Sequence, residues 1–164
     1  MKDKWIKLRE KTICEGMLIH SITSPIAIND CANVVLALGA KPIMAEHPDE
    51  VAEIIAIAKA LTVSYANITD ARRRSIMIAG KKALDNNIPC IVDAVGVTCS
   101  SMRMQDVKTF IKECRPTIVK GNVSEIKALA GLDFKNTGIE NSNVTGQSDV
   151  GGLVGYYYGD IINS

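Results

Sequence analysis

The sequence has no apolar run that approaches the roughly 20 residues a helix needs to cross a membrane. Its amino terminus, MKDKWIKLREK, is charged and lacks the apolar core of a secretory signal peptide. The five cysteines are odd in number and form no CxxC pair, which favours reduced thiols over a disulfide framework. A net charge of +1 lacks the basic excess typical of nucleic-acid or anionic-membrane binding. We therefore expect a cytoplasmic protein that binds neither nucleic acid nor membranes.

What the sequence does contain is an alternation of short apolar runs with helix-like segments. Of its 164 residues, 47% are hydrophobic, enough for one sizeable core. Helices alternate with five predicted strands, at 17–23, 42–45, 61–66, 90–97 and 117–119. This alternation predicts an α/β fold with a doubly wound, mostly parallel sheet, and ligands beyond the carboxyl ends of the strands. The run CIVDAVGV is typical of a strand buried on both faces.

Capping signals place the ends of two predicted helices. Ser24 is predicted to cap a helix over Pro25–Leu38, because proline is well tolerated at the first helical position. Gly39 then supplies a left-handed stop. Asp70 is predicted to cap a longer helix that ends at Asn86.

The sequence also predicts which side chains are exposed or buried in three further places. The amino-terminal helix Lys2–Ile13 is expected to pack its apolar side chains on the protein surface. The basic run Arg72–Arg74 is interpreted as a solvated helix face, with a weak anion or partner patch as the alternative. Cys31 and Cys99 are interpreted as buried small hydrophobic residues.

Four motifs carry a resemblance to a known family. The stretch His20–Val51 reads HSITSPIAINDCANVVLALGAKPIMAEHPDEV, and it is followed by NITDAR at Asn67–Arg72, VDAVGV at Val92–Val97 and VKGNVSEIKALAG at Val119–Gly131. These motifs resemble hydroxyethylthiazole kinase, a thiamine-salvage family of the ribokinase-like superfamily. The resemblance implies ATP-dependent phosphorylation of 4-methyl-5-(2-hydroxyethyl)thiazole with Mg²⁺, in trimers whose active sites lie between subunits.

The resemblance also assigns candidate substrate and nucleotide contacts. Met44 corresponds to the family's thiazole contact, and Ser24 stands where the family commonly has Asn near the substrate hydroxyl. Lys120 stands where the family has a cation that touches ATP. From the residues alone, Met44 is equally a core methionine, Ser24 a helix cap and Lys120 a plain surface charge.

A second group of candidates relates to the metal. By resemblance Asp93 belongs to a segment near the metal and phosphates, although Ala94 replaces the usual proline there. Asn122 and Glu125 form the NxxE signature, in which the pair organises Mg²⁺ through water. On pattern alone, Asp93 is a loop-capping residue and the Asn122–Glu125 pair is a capping box, a role that can coexist with metal binding.

The composition changes after about residue 133. Residues 136–164 contain no Lys, Arg, Cys or Met and carry three acids. IENS at 139–142 returns as IINS at 161–164, and this pattern resembles GLUG-type β-repeats of bacterial surface proteins. Alternatively, VTGQSD at 144–149 resembles the strand and turn through which thiazole kinases hold ATP by a threonine, here Thr145. We predict a partial kinase domain over 1–133, with the carboxyl-terminal part of the fold missing, and a β-rich or irregular tail over 134–164.

One component of the family's site is absent from the sequence. Thiazole kinases place a GTGC segment at a helix amino terminus, where backbone N–H groups form an anion hole, and no GTG occurs here. No catalytic residue is therefore assigned, and His20 and His47 are interpreted as structural or pocket-lining. We expect a truncated kinase, weakly active or inactive. Alternatives are a non-catalytic thiazole-binding or oligomerisation fragment, a surface β-repeat protein and another small-alcohol kinase of the superfamily.

Overall fold

The computed structural model describes residues 2–133 of the chain, and its helices and strands alternate as expected. The helices are α1 (Lys2–Glu15), α2 (Ile28–Ala37), α3 (Val51–Ile57), α4 (Asp70–Asp85), α5 (Ser101–Cys114) and α6 (Val123–Leu129). The strands are β1 (Leu18–Ile22), β2 (Lys41–Ile43), β3 (Ala60–Ser64), β4 (Cys90–Asp93) and β5 (Ile118–Lys120).

The five strands form one parallel sheet in the order β2-β1-β3-β4-β5, which confirms the predicted doubly wound α/β fold. The chain moves outward from β1 to β2 and then returns past β1 to β3, so the direction of winding reverses between β1 and β3. Because all strands are parallel, their carboxyl ends meet at one edge of the sheet. In open α/β sheets this edge, beside the point of reversal, is where ligands bind.

The hydrophobic core lies on one face of the sheet. Leu61 pairs with Cys90 and Val63 with Val92, and all four side chains are buried beneath α3, α4 and α5. Gly80 lets α4 approach α5 closely, because a Cβ there would lie 2.4 Å from Phe110 Cε2 and 2.7 Å from Cys114 Sγ. The two helices are therefore packed at a distance that only glycine permits.

The opposite face of the sheet is covered less completely. Thr62 pairs with Ile91 on this face, and both side chains are only half-buried. The prediction that the fourth strand is buried on both faces is therefore wrong. Right-handed connections place α2 on this side, because β1 to β2 runs opposite to β3 to β4. No residue of α2 is buried, and Trp5 and Ile6 of α1 are 60% and 54% exposed, so the prediction that the amino-terminal helix packs these apolar side chains is wrong.

Two predicted helix starts differ from the observed ones. The helix after β1 begins at Ile28 and not at Pro25, because Pro25–Ala27 form a turn in which the Ala27 N–H donates to the Ser24 carbonyl (3.0 Å). Ser24 is thus not the cap of α2. At the start of α4, Thr69 is the N-cap, and its Oγ1 accepts the Arg72 N–H (3.2 Å).

The helix stop at Gly39 is confirmed. Gly39 has φ +88°, and a Cβ at this position would lie 2.3 Å from Ile13 Cγ1. Glycine is needed here both for the left-handed backbone and for the close approach of α1.

The cysteines are distributed differently from the prediction. Cys90 and Cys114 are buried, and burial raises the pKa of Cys90 to about 12 and that of Cys114 to about 11. Cys99 is exposed because it lies in the turn beyond β4, and Cys31 is half-buried because α2 lies on the less covered face. The prediction that Cys31 and Cys99 are buried is wrong. Across residues 2–133, no helix has the length and apolar character needed to cross a membrane.

Candidate functional site

Two of the predicted site residues meet at the carboxyl ends of β4 and β5. Asp93 ends β4, Lys120 ends β5, and the two residues are paired in the parallel register. Lys120 Nζ donates to Asp93 Oδ2 at 3.0 Å. Asp93 Oδ1 is buried and has no hydrogen-bond partner in the described part of the chain. A buried carboxylate oxygen without a donor is a place where a cation or an ordered water would bind favourably.

A capping box lies beside this pair. Asn122 Oδ1 accepts the Glu125 N–H (2.9 Å), and Glu125 Oε2 accepts the Asn122 N–H (2.8 Å), which confirms the predicted box. Glu125 is 7% exposed, and its other oxygen, Oε1, accepts the Gly96 N–H at 2.8 Å. The glutamate thus joins the start of α6 to the turn that follows Asp93.

The turn after β4 is held from a second side by Arg103. Its Nη1 donates to the carbonyl of Tyr65, at the end of β3, and more weakly to that of Val95 (3.5 Å). Gly96 allows this turn with φ +74°. Sequence reasoning missed Arg103, yet a signal exists, because a cation in the first turn of a helix opposes the helix dipole and calls for a specific partner.

Arg72, at the start of α4, makes contacts similar to those of Arg103 at the start of α5. Both arginines are the third residue of their helices, and both helices begin at a hydroxyl cap, Thr69 for α4 and Ser100 for α5. Arg72 Nη1 donates to the Asn67 carbonyl. Arg72 is 4% exposed, so the prediction that the basic run is a solvated face is wrong for this residue and holds for Arg74.

Arg72 and Ser75 also hold the segment that follows β2, where Met44 lies. Arg72 donates to Glu46 Oε2 from both Nε (3.0 Å) and Nη2 (2.8 Å). Ser75 Oγ donates to the Glu46 carbonyl at 2.7 Å. Met44 is half-buried, two residues before this clamp.

His20 fixes the same segment from β1. Its Nε2 lies 2.8 Å from the Ala45 carbonyl, which can only accept, so Nε2 carries the proton. His20 is fully buried, and desolvation lowers its pKa, which keeps the ring neutral. Its Nδ1 has no hydrogen-bond partner in residues 2–133. The structural role predicted for His20 fits these contacts.

The candidate residues fall into two groups along the sheet edge. Ser24 and Met44 follow the neighbouring strands β1 and β2, whereas Asp93 and Lys120 end β4 and β5. One strand, β3, separates β1 from β4, so the two groups are about 10 Å apart by the usual strand spacing. This separation would let a small ligand bind at one group of residues and its reaction partner bind at the other. Thr145 lies outside the described residues.

One carboxylate at this edge has an oxygen available for a metal ion. Within residues 2–133 no cluster of three or more His, Cys, Asp or Glu side chains is arranged to hold a metal. Both Glu125 oxygens already accept backbone N–H groups, whereas Asp93 Oδ1 remains available. Asp93 therefore fits a cation bound together with non-protein ligands, as Mg²⁺ commonly is, and Glu125 fits a positioning role.

The sheet order defines an α/β protein, and its polar edge at the carboxyl ends of the parallel strands is where a ligand is expected. Residues 11–151 match the model of the Hydroxyethylthiazole kinase family. The chain belongs to this family. The match crosses the boundary that we predict at residue 134, and it includes Thr145.

Individual relatives support the same family assignment. The chain is 51% identical over 135 residues to hydroxyethylthiazole kinase 2 of Clostridium botulinum strain Hall, covering 82% of this chain and 51% of the relative. It is 39% identical over 142 residues to hydroxyethylthiazole kinase of Alkaliphilus metalliredigens, covering 87% and 52%. A solved structure of a hydroxyethylthiazole kinase protein from Pyrococcus horikoshii OT3 superposes with a TM-score of 0.74 at 31% identity, covering 80% of this chain and 51% of that one. The chain spans about half the length of the relatives it matches.

Proposed function

We propose that this chain forms the thiazole-binding and phosphate-facing half of a hydroxyethylthiazole kinase. The reaction is phosphoryl transfer from ATP to the hydroxyl of 4-methyl-5-(2-hydroxyethyl)thiazole. The observation that carries the proposal is the arrangement at the carboxyl edge, where the Asp93–Lys120 pair and the Asn122–Glu125 box meet at one turn. Family membership supplies the identity of the reactants.

The thiazole subsite is assigned to the β1 and β2 side. Met44 offers a soft apolar surface to the ring, and the clamp at Ala45 and Glu46 limits the conformations of its segment. Ser24, at the exit of β1, is assigned to the substrate hydroxyl. Its position among the buried residues supports a fixed rather than a mobile contact.

The phosphate subsite is assigned to the β4 and β5 side. Lys120 offers its ammonium group to ATP, and Asn122 and Glu125 hold the neighbouring turn in place. Asp93 offers Oδ1 to Mg²⁺, directly or through water; the ion neutralises phosphate charge when it is bound. Thr145, within the family match, is assigned to ATP.

We propose that this chain by itself is weakly active or inactive. Its sequence contains no GTG segment, and each missing oxyanion-type donor typically lowers a rate by about 10²- to 10³-fold. The same absence favours the second candidate function, a non-catalytic thiazole-binding or oligomerisation fragment. A cytoplasmic location and trimeric assembly belong to the proposal through the family.

The test combines binding and turnover on the purified chain. Calorimetric titration with the hydroxyethyl-methylthiazole should show saturable binding, which Met44→Ala weakens and the surface variant Met102→Ala does not. A parallel assay with Mg-ATP should show little phosphorylated thiazole, and any product should disappear in Asp93→Asn. Absence of thiazole binding by a folded chain contradicts the thiazole subsite in both candidate functions and leaves only an oligomerisation role. Binding with product that Asp93→Asn abolishes favours the kinase half over the non-catalytic fragment.

A further inference from the structure

A cavity of about 460 Å³ lies between α4 and α5, on the core side of the sheet. It shares no lining residue with the two groups of site residues at the sheet edge. Met77 of α4 lines it, and three residues later the helices meet at Gly80, where Phe110 and Cys114 leave no room for a Cβ. The volume falls within the range of about 300–1,000 Å³ that is typical of small-molecule sites.

One polar group that faces this cavity lacks a partner. The Tyr65 side chain is 1% exposed and packs edge-on against Phe110, with ring centroids 6.2 Å apart. Its hydroxyl makes no hydrogen bond to any residue in 2–133. The fully enclosed side-chain atoms without a partner in that range are His20 Nδ1 and Asp93 Oδ1, so the Tyr65 hydroxyl is not fully enclosed. Because Tyr65 lines the cavity, its hydroxyl is available to a ligand there.

The Tyr65 hydroxyl is suited to donate a hydrogen bond. Burial, together with the charge of Asp106, raises the pKa of Tyr65, so the hydroxyl keeps its proton at neutral pH. A buried polar group without a partner is unfavourable, and a ligand that supplies an acceptor removes this cost. The hydroxyl therefore favours ligands that carry a hydrogen-bond acceptor.

The charges around the cavity cancel. Arg73 and Arg74 line it together with Asp70 and Asp106, so two positive charges face two negative ones. A phosphate or an ammonium group would gain little from such a balanced set. The cavity therefore favours an uncharged ligand.

The Arg73 guanidinium offers a flat surface to that ligand. Its Nε and Nη2 each donate to Asp106 at 2.7 Å, and Nη1 lies 3.7 Å from Asp70 Oδ1. These carboxylates engage the edges of the guanidinium, while the arginine side chain is 39% exposed. A guanidinium fixed in this way can stack on an aromatic ring. Met77, four residues later on the same helix face, adds an apolar contact.

We propose that this cavity binds an uncharged heteroaromatic molecule, whose ring nitrogen or carbonyl accepts a hydrogen bond from Tyr65 Oη. Its ring contacts the Arg73 guanidinium and the Met77 side chain. The site is separate from the thiazole and phosphate subsites, so the proposal does not depend on kinase activity.

The test compares two probes of the same shape, 4-methylpyridine and toluene, of which only the first carries an acceptor. At about pH 8 both are uncharged. The chain has six methionines, whose methyl groups can be labelled with ¹³C and followed by NMR; Met77→Leu assigns the Met77 signal. Titration with 4-methylpyridine should shift this signal saturably, without an equal shift at Met44.

Tyr65→Phe removes only the hydroxyl. It should weaken binding of 4-methylpyridine by about five- to tenfold, the effect of one lost hydrogen bond. Toluene affinity should change by less than about twofold, which also shows that the variant keeps the cavity. Arg73→Lys retains the charge without the flat surface and should weaken both probes by about twofold or more. Arg115→Lys, at an exposed position of the chain, is its control and should weaken neither.

Three outcomes would overturn the proposal. The first is a Met77 signal that does not respond saturably to 4-methylpyridine. The second is equal affinity of Tyr65→Phe and the unmodified chain for this probe. The third is a saturable Met77 shift with inorganic phosphate alone, which would assign the cavity to anions. Loss of thiazole binding in Met44→Ala with an unchanged Met77 response concerns only the proposed function.

Discussion

Lys120 Nζ lies 3.0 Å from Asp93 Oδ2, while the other oxygen of the same carboxylate is buried without a partner. The ion pair bridges the last residues of β4 and β5 at the edge where ligands are expected. A carboxylate that is only half satisfied in the free protein is suited to gain a contact when a ligand binds.

This pair should contribute little to stability. Lys120 is 38% and Asp93 26% exposed at the side chain, and ion pairs open to solvent are screened. A double-mutant cycle with Asp93→Asn and Lys120→Met, followed by urea unfolding, should give a coupling of about 1 kcal/mol or less. The exposed Lys81–Glu113 pair serves as the reference (2.7 Å). A coupling of 3 kcal/mol or more would show that the pair is retained for structure.

Glu125 should matter more for stability than its surface counterparts. Replacement by Gln leaves one acceptor oxygen for two N–H donors, those of Gly96 and Asn122, and turns an NH₂ group towards the other. We expect Glu125→Gln to lower the free energy of unfolding by about 1–3 kcal/mol. Glu113→Gln, at an exposed site of α5, is the matched control and should change it by less than about 0.5 kcal/mol. Equal effects of the two variants would contradict the role assigned to Glu125.

Arg72 should link stability to thiazole binding. Arg72→Met leaves the Asn67 carbonyl without this donor and removes the partner of Glu46, at a cost of about 1–3 kcal/mol; the half-exposed Glu46 carboxylate remains solvated. Because Glu46 lies two residues after Met44, thiazole affinity should fall as well. Arg74→Met changes an exposed arginine of the same helix and should leave both quantities unchanged.

The binding effect can be separated from simple loss of fold. Arg72→Lys retains the charge but not the two-atom contact to Glu46. Calorimetry at a temperature where this variant is fully folded should still show weaker thiazole binding. Unchanged affinity there would mean that the Glu46 contact does not position Met44.

His20 should make stability depend on pH in one direction. Burial lowers its pKa in the folded protein, so the unfolded chain binds the proton more readily. The stabilisation is complete above the ordinary histidine pKa of 6.5 and is lost as pH falls from there towards the lowered value. The slope is at most about 1.4 kcal/mol per pH unit for one proton.

The measurement is urea unfolding between pH 7.5 and pH 5. His20→Gln can still donate to the Ala45 carbonyl but does not titrate, so its stability should fall less over this range. His47→Gln, at an exposed position, should retain the full pH dependence. A parallel decline in all three proteins would assign the effect to other groups.

The sequence predicted the fold well because its signals are local. The glycine after an apolar helical run predicts the left-handed stop at Gly39, and the spacing of Asn122 and Glu125 predicts their capping box. The prediction that Ser24 caps α2 is wrong because a hydroxyl residue before proline can also begin a turn. That turn places the start of α2 three residues later than predicted. The residue types around Ser24 fit both a helix cap and a turn, so the sequence does not distinguish these two structures.

The contacts of the site could be predicted only in part. Arg72 bonds to Glu46, 26 residues away, and Arg103 to the carbonyl of Tyr65, 38 residues away. Such partners depend on how strands align in the sheet, which no spacing in the sequence reveals. The roles of Met44, Lys120 and Thr145 stay predictions, and Thr145 and the repeat interpretation of 134–164 lie outside the described residues.

Because the hydrophobic core lies on one face of the sheet, the two sides of the molecule should differ in their local stability against unfolding. β3, β4 and α4 share the buried cluster, so their amides should exchange with solvent only when the whole domain unfolds. α1 and α2 contribute no residue to that cluster, so we expect their amides to exchange through local opening. On warming, the amino-terminal helices should therefore loosen before the sheet does, and the melting of the chain should follow more than one transition.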